Sequence, residues 1–192
     1  MKVLAINGSA RKNGNTHILI NRILEKLSAE GIKTQYIQFA GSFIKPCRAC
    51  FACGKTGNCV QKDDIFQSLF ENMKSADGII LGSPVYSANI SANMQAFLER
   101  SAVICDMNTG LLKHKIGTGI VSARRGGALN AVDAINHFFL NHEMFVVGST
   151  YWNMAYGQMA GDVLKDTEAL LNMDNIAENM IWLLKKIEQE ER

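Results

Sequence analysis

The chain has 192 residues, of which 47% are apolar and 20% charged, with a formal net charge of +2. That is enough to bury a full core in one domain without crosslinks, and the small, evenly spread charge excludes nucleic acid or an acidic membrane surface as the partner. No apolar run is long enough to span a bilayer, and Met1-Lys2 leads straight into a strand-like run without a basic n-region or cleavage site, so a cytoplasmic protein with reduced thiols is expected.

In chain order, Lys2–Ile6 is a short apolar run, residues 7–16 a polar glycine-containing loop, and His17–Leu27 repeats apolar residues at helical spacing. This predicts strand, loop and helix. Gly31 breaks the helix, and the alternation over Ile32–Phe39 predicts a second strand. A second helix is expected over 65–74, opened by Asp63 and Asp64, and Gly78–Gly82 reads as a buried strand ending at Ser83-Pro84. A third helix follows over 91–101. Ile116–Val121 is a fourth strand, whose Gly117 and Gly119 suggest close approach of another backbone or a ligand. Leu129–Asn141 is a fourth helix, Phe145–Val147 a fifth strand, and an amphipathic helix from Asn172 to Glu188 closes the chain on Ile176, Met180, Ile181, Leu184 and Ile187. With no repeat or linker, residues 1–192 form one domain, carrying a cysteine-rich insertion over 41–60. Strands alternating with helices predict an α/β fold whose five-stranded parallel sheet is covered on both faces. Its ligand belongs outside the carboxyl ends of the strands, where strand order reverses.

Four of the five cysteines, Cys47, Cys50, Cys53 and Cys59, form a C-x2-C-x2-C-x5-C run within that insertion. Consecutive x2 spacings wrap three thiolates around one centre, and Gly54 and Gly57 give the backbone freedom to return the fourth. The pattern is that of a [4Fe–4S] ligand loop. Zinc, or reduced and empty thiols, are the alternatives, and against zinc stands the lack of a second cysteine knuckle or His pair downstream. Lys45, Arg48 and Lys55 would offset the negative charge of such a cluster, or stand as ordinary solvated cations. Cys105 reads as a small buried hydrophobe at the end of the third helix, and the four histidines show no triad or metal spacing.

The loop Gly8–Thr16 offers hydroxyls, side-chain amides, free N–H groups and a helix N-terminus, which together suit a terminal phosphate. It is neither a dinucleotide fingerprint nor a nucleoside-triphosphate loop. Gly82–Asn89, with Pro84, Val85, Tyr86 and Ser87, has a rigid proline and an aromatic ring to set against a flat heterocycle. Ser122, Ala123, Arg124, Arg125, Gly126 and Gly127 bring hydroxyl, cation and glycine N–H groups to the same sheet edge. Tyr151, Trp152 and Tyr156 follow the fifth strand there, to cover a ligand or fill a subunit interface.

Gly8-Ser9-Ala10-Arg11, Asn15-Thr16, the Gly82–Tyr86 loop and the cysteine run together resemble the iron–sulfur flavoprotein family, a branch of the flavodoxin-like NAD(P)H-dependent FMN reductases, and the resemblance runs to about Gly157. It implies a flavodoxin-like three-layer sandwich, with the FMN phosphate held by Ser9, Arg11, Asn13, Asn15 and Thr16. The isoalloxazine ring is then framed by Pro84 to Ser87 and Ser122 to Gly127. The resemblance further implies a homodimer or homotetramer in which each flavin lies near a neighbour's cluster. The expected function is an oxidoreductase that takes electrons from a ferredoxin or NAD(P)H and passes them between FMN and cluster to a small acceptor, with no residue needed for acid–base catalysis. A cluster-free FMN or quinone reductase, and a zinc-stapled redox sensor or binding module on the same scaffold, are the other readings.

Overall fold

The computed structural model describes residues 1–190. A parallel sheet runs in the order β2 (Lys33–Gln38), β1 (Lys2–Asn7), β3 (Gly78–Pro84), β4 (Ile116–Ala123), β5 (Phe145–Val146), with β6 (Met154–Tyr156) also paired to β4. Its centre is β1, β3 and β4, strands of small and branched residues that are buried almost without interruption. Only strands covered on both faces can be written so. β2 lies at an edge and is correspondingly polar and half-buried.

Helices α1 (Asn15–Ala29) and α6 (Thr167–Glu190) cover one face, and α3 (Phe66–Lys74), α4 (Ala92–Met107) and α5 (Ala128–Asn141) the other, each layer with its own apolar cluster. This is the flavodoxin-like α/β sandwich that the sequence predicts. Across the first face, Arg22 grips Asp174 with two bonds, Nε to Oδ1 at 2.8 Å and Nη2 to Oδ2 at 2.6 Å. The closing helix starts five residues before the expected Asn172, because Asp166 Oδ1 accepts the Ala169 N–H at 3.1 Å and caps it.

The fifth strand departs from expectation by being split. β5 (Phe145–Val146) pairs with the lower half of β4 and β6 (Met154–Tyr156) with its upper half. Between them the chain bulges away and is pinned by Asn153, whose Nδ2 donates to Thr118 Oγ1 at 3.1 Å while its carbonyl accepts the Val121 N–H at 3.1 Å. Tyr151 and Trp152 are thereby turned out, about half exposed.

Gly117 and Gly119 serve neither a backbone nor a ligand. A Cβ on Gly117 would sit 2.8 Å from the Phe139 ring, and one on Gly119 2.9 Å from Ile135 Cγ2, so both glycines let α5 lie close on the sheet. Gly117→Ala should therefore destabilise the fold by about 1–3 kcal/mol through overpacking. Urea unfolding of Gly117→Ala, Phe139→Leu and the double variant checks this: the double should lose less than the sum of the singles.

Candidate functional site

At the end of β1 the chain enters its first loop under tight control. Asn7 Oδ1 accepts the Ser9 N–H at 2.9 Å, and Ser9 Oγ accepts the Arg11 N–H at 3.1 Å. Gln38 Nε2 braces the loop from the neighbouring strand, donating to Ser9 O at 3.1 Å and Arg11 O at 2.8 Å. α1 then begins at Asn15, and its N-cap residue Gly14 has no side chain to cap it, which leaves the N-terminus of a long helix to attract an anion. Thr16 Oγ1 lies 2.9 Å from Ser122 Oγ and joins the first turn of α1 to the end of β4, while Arg11 Nη1 donates to Gln158 O at 3.1 Å.

The loop after β3 is fixed from below. Ser91 N–H donates to Ser83 Oγ at 2.9 Å, and Ser91 Oγ donates to Gly8 O at 2.9 Å while capping α4. Above it, Tyr86 and Asn89 exchange backbone bonds at 2.8 and 3.0 Å around Ser87 (φ 49°) and Ala88 (φ 59°). Two successive left-handed residues make a tight primed turn, held here without glycine. Gly127 (φ 85°) takes the glycine role in the next loop: a Cβ there would lie 2.5 Å from Ala88 Cα.

These loops enclose a cleft of about 280 Å³ at the carboxyl edge of the sheet. Of the residues predicted from the sequence, Ser9, Arg11, Asn15, Thr16, Pro84, Val85, Tyr86, Ser122 and Arg124 line it together. Asn13, Ser87, Ala123, Gly126 and Gly127 lie outside the lining, Ser87 and Gly127 where the two upper loops touch each other. Gly14, Gly157 and Gln158 line it unpredicted. The latter two arrive through β6, which carries no sequence signal of its own; the Gly157 N–H closes on Ala123 O at 2.8 Å. Hydroxyls, an arginine and an uncapped helix at one end, with proline and tyrosine beside them, fit a flavin mononucleotide phosphate and ring.

The cysteine run occupies the crossover from β2 to α3. Ala49 (φ 50°), Phe51 (φ 53°) and Gly57 (φ 68°) bend it, with one helical turn, α2 (Cys53–Thr56), between. Gly54 is not left-handed; a Cβ there would meet Met107 Cε at 2.5 Å. Cys47, Cys50, Cys53 and Cys59 all line one small cavity of about 20 Å³, roofed by Phe51, Val60, Val103 and Ile104. That is room for about one water. Among the described residues no group of three or more His, Cys, Asp or Glu side chains is drawn together closely enough to hold a metal ion.

In donor chemistry the loop suits a thiolate-bound cluster: four free thiols face one apolar space, and two receive N–H groups. Ala49 N donates to Cys47 Sγ at 3.3 Å, and Arg100 Nη2 to Cys59 Sγ at 3.1 Å. Burial pushes the Cys53 thiol above its usual pKa, with Cys47, Cys50 and Cys59 adding to the rise. Of the three cations expected to offset the cluster, Lys45 instead pairs with Asp63, and Arg48 and Lys55 are exposed, Arg48 at the cavity rim. The cation that meets a sulfur is Arg100 from α4, a distant helix position that no spacing rule connects to the loop. Cys105 is buried in α4, and its thiol is pushed up to about 12, mainly by burial, as suits a packing role.

The sequence profile of the NADPH-dependent FMN reductases matches residues 1–158. An iron-sulfur flavoprotein of Methanocaldococcus jannaschii is 34% identical over 197 aligned positions, covering 98% of this chain and 100% of the relative. One from Methanosarcina thermophila is 31% identical, covering 98% of each. In fold, a WrbA-like flavodoxin from Agrobacterium tumefaciens superposes with a TM-score of 0.61 at 16% identity, over 93% of this chain and 98% of that one. The chain is thus a flavin-dependent oxidoreductase that belongs to the NADPH-dependent FMN reductase family, among its iron–sulfur flavoproteins.

Proposed function

We propose that the protein binds FMN in the cleft and passes electrons between it and a [4Fe–4S] cluster held by Cys47, Cys50, Cys53 and Cys59, with a ferredoxin or NAD(P)H as donor and a small molecule such as a quinone or an oxygen species as acceptor. The observation that carries this reading is the meeting, in one cleft, of an uncapped helix, a hydroxyl-rich loop and two ring-sized walls. The four thiols around one cavity, and the similarity to two iron–sulfur flavoproteins, support the cluster. FMN exchanges electrons singly or in pairs and a [4Fe–4S] centre singly, so the pairing connects a hydride donor with one-electron carriers.

In this reading Ser9, Arg11, Asn15 and Thr16 hold the phosphate with the α1 N-terminus, and the Gln38 braces keep that loop ready for it. Pro84, Val85 and Tyr86 wall the ring on one side, and Ser122 and Arg124 offer it donors on the other. Asn13, Ser87, Ala123, Gly126 and Gly127 belong to the same loops and border the cleft from outside its lining. Half-exposed Tyr86, Tyr151, Trp152 and Tyr156 gather at the cleft's edge of the sheet, which supports a homodimer or homotetramer that covers them. Among the described residues no helix is long and apolar enough to cross a membrane, and five free cysteines suit the reducing cytoplasm.

Flavin released by heat from the purified protein should chromatograph as FMN, and FAD as the main species would sink the assignment. Ser9→Ala with Thr16→Ala should weaken FMN binding by about 1–3 kcal/mol per lost bond to the charged phosphate, read by flavin fluorescence titration. Unchanged affinity would mean that the phosphate sits elsewhere.

Iron and acid-labile sulfide, measured on anaerobically purified protein, should be present in the wild type and lost or converted when any one of Cys47, Cys50, Cys53 or Cys59 becomes Ser, with FMN retained. Cys105→Ser should change neither. Stoichiometric zinc without sulfide would select the stapled-module reading, and FMN with no metal the cluster-free reductase.

A further inference from the structure

A guanidinium removed from water is strongly destabilising unless its donors are answered. Among the described residues Arg100 is the largest fully enclosed side chain, 1% exposed. Its Nη1 donates to Asp64 Oδ2, on a carboxylate that is itself buried, and to Lys45 O at 3.2 Å. Its Nη2 donates to Cys59 Sγ at 3.1 Å and to Gln61 O at 3.2 Å, and the guanidinium carbon lies 4.0 Å from the centre of the Phe66 ring. Only Nε lacks a partner.

Lys45 comes just before the first cysteine of the run and Gln61 just after the last. One side chain on α4 therefore ties both ends of the loop, and Asp64 repeats the tie by accepting the Lys45 N–H at 2.9 Å and the Phe66 N–H at 3.1 Å. A staple needs only the two carbonyls. The bond to sulfur adds a second effect, because an N–H from a cation stabilises a thiolate ligand most when the group it binds is most negative. Since Asp64 neutralises the guanidinium at longer range, that effect is local to Cys59.

We propose that Arg100 is a positioning residue that holds Cys59 for ligation and raises the reduction potential of the cluster there; this rests on the cluster reading above. Reduction adds one electron to the cluster, and the Arg100 N–H favours the more negative state.

The test is an anaerobic potentiometric titration of FMN-loaded, cluster-reconstituted protein, following the cluster by electron paramagnetic resonance and the flavin by absorbance. Arg100→Gln with Asp64→Asn removes both charges of the buried pair together. It should move the cluster potential to more negative values while the flavin potential stays at the wild-type value. Arg100→Lys keeps the charge but cannot span the sulfur and both carbonyls, and should release iron to a chelator several-fold faster than wild type. Should the double variant fail to fold, Arg100→Lys decides on the same two readouts, with a more negative cluster potential or faster iron release as the expected result. Wild-type cluster potential and iron release in the folded variants overturn the proposal, as does an equal shift of flavin and cluster potentials, which marks a general loosening. Wild-type protein with FMN but no iron is a different failure, visible before any substitution: it sinks the cluster reading, and the role of Arg100 with it.

Discussion

The cleft depends on the level at which three parallel strands end. Asn7 stands opposite both Gln38 and Gly82, so β1 and β2 finish level while β3 runs on two residues beside β4, and the ladder continues past these ends: Gly8 N–H donates to Gly82 O at 2.7 Å and Val85 N–H to Ser122 O at 2.9 Å. The chain leaves β1 toward β2 on one side and later returns to β3 on the other. No crossover can fill the space between, and the loops that rise there can only face one another. The hydroxyl of Thr16 reaches that of Ser122, which stands opposite Pro84 where the longer β3–β4 pair overhangs β1.

Beneath the first loop lies a small polar scaffold with every group answered. Tyr36 OH accepts from Asn7 Nδ2 at 2.8 Å and donates to Gln38 Oε1 at 3.0 Å, and His17 Nδ1 lies 2.9 Å from the same oxygen. Asn21 Nδ2 donates to His17 Nε2 at 2.8 Å, which assigns the His17 proton to Nδ1 and lets it donate to the tyrosine. Burial holds the Tyr36 hydroxyl above its usual pKa, with the Asn7 bond opposing, so it stays a neutral relay of hydrogen bonds. The Gln38 amide is thereby turned toward the carbonyls of Ser9 and Arg11. Rigidity here means that a ligand does not have to order the loop on arrival.

Much of this was legible in the amino-acid sequence, for local reasons. The buried runs of β1, β3 and β4, the helical spacing of α1 and α5 and the x2 spacing of the cysteines are patterns within a few residues of one another. The remainder depends on partners far away in the chain. The split of the fifth strand is set by Asn153 meeting Thr118; the early start of α6 is set by Asp166; the close seat of α5 is set by two glycines that look like ligand contacts until Phe139 and Ile135 are seen above them. Arg100 is the extreme case, since nothing in its helix distinguishes it from a solvated arginine.

The split strand has a consequence for how copies of the chain meet. A continuous fifth strand would present a full row of unpaired amide and carbonyl groups along the outer edge of the sheet, and a second molecule could add to it strand by strand, without limit. Here the edge consists of a two-residue and a three-residue piece separated by the bulge that carries Tyr151 and Trp152. Neither piece is long enough to template a partner, and the rings between them block a straight approach. Association is left to side-chain surfaces, which can close into a finite assembly, and open-ended stacking through the backbone is suppressed along this edge.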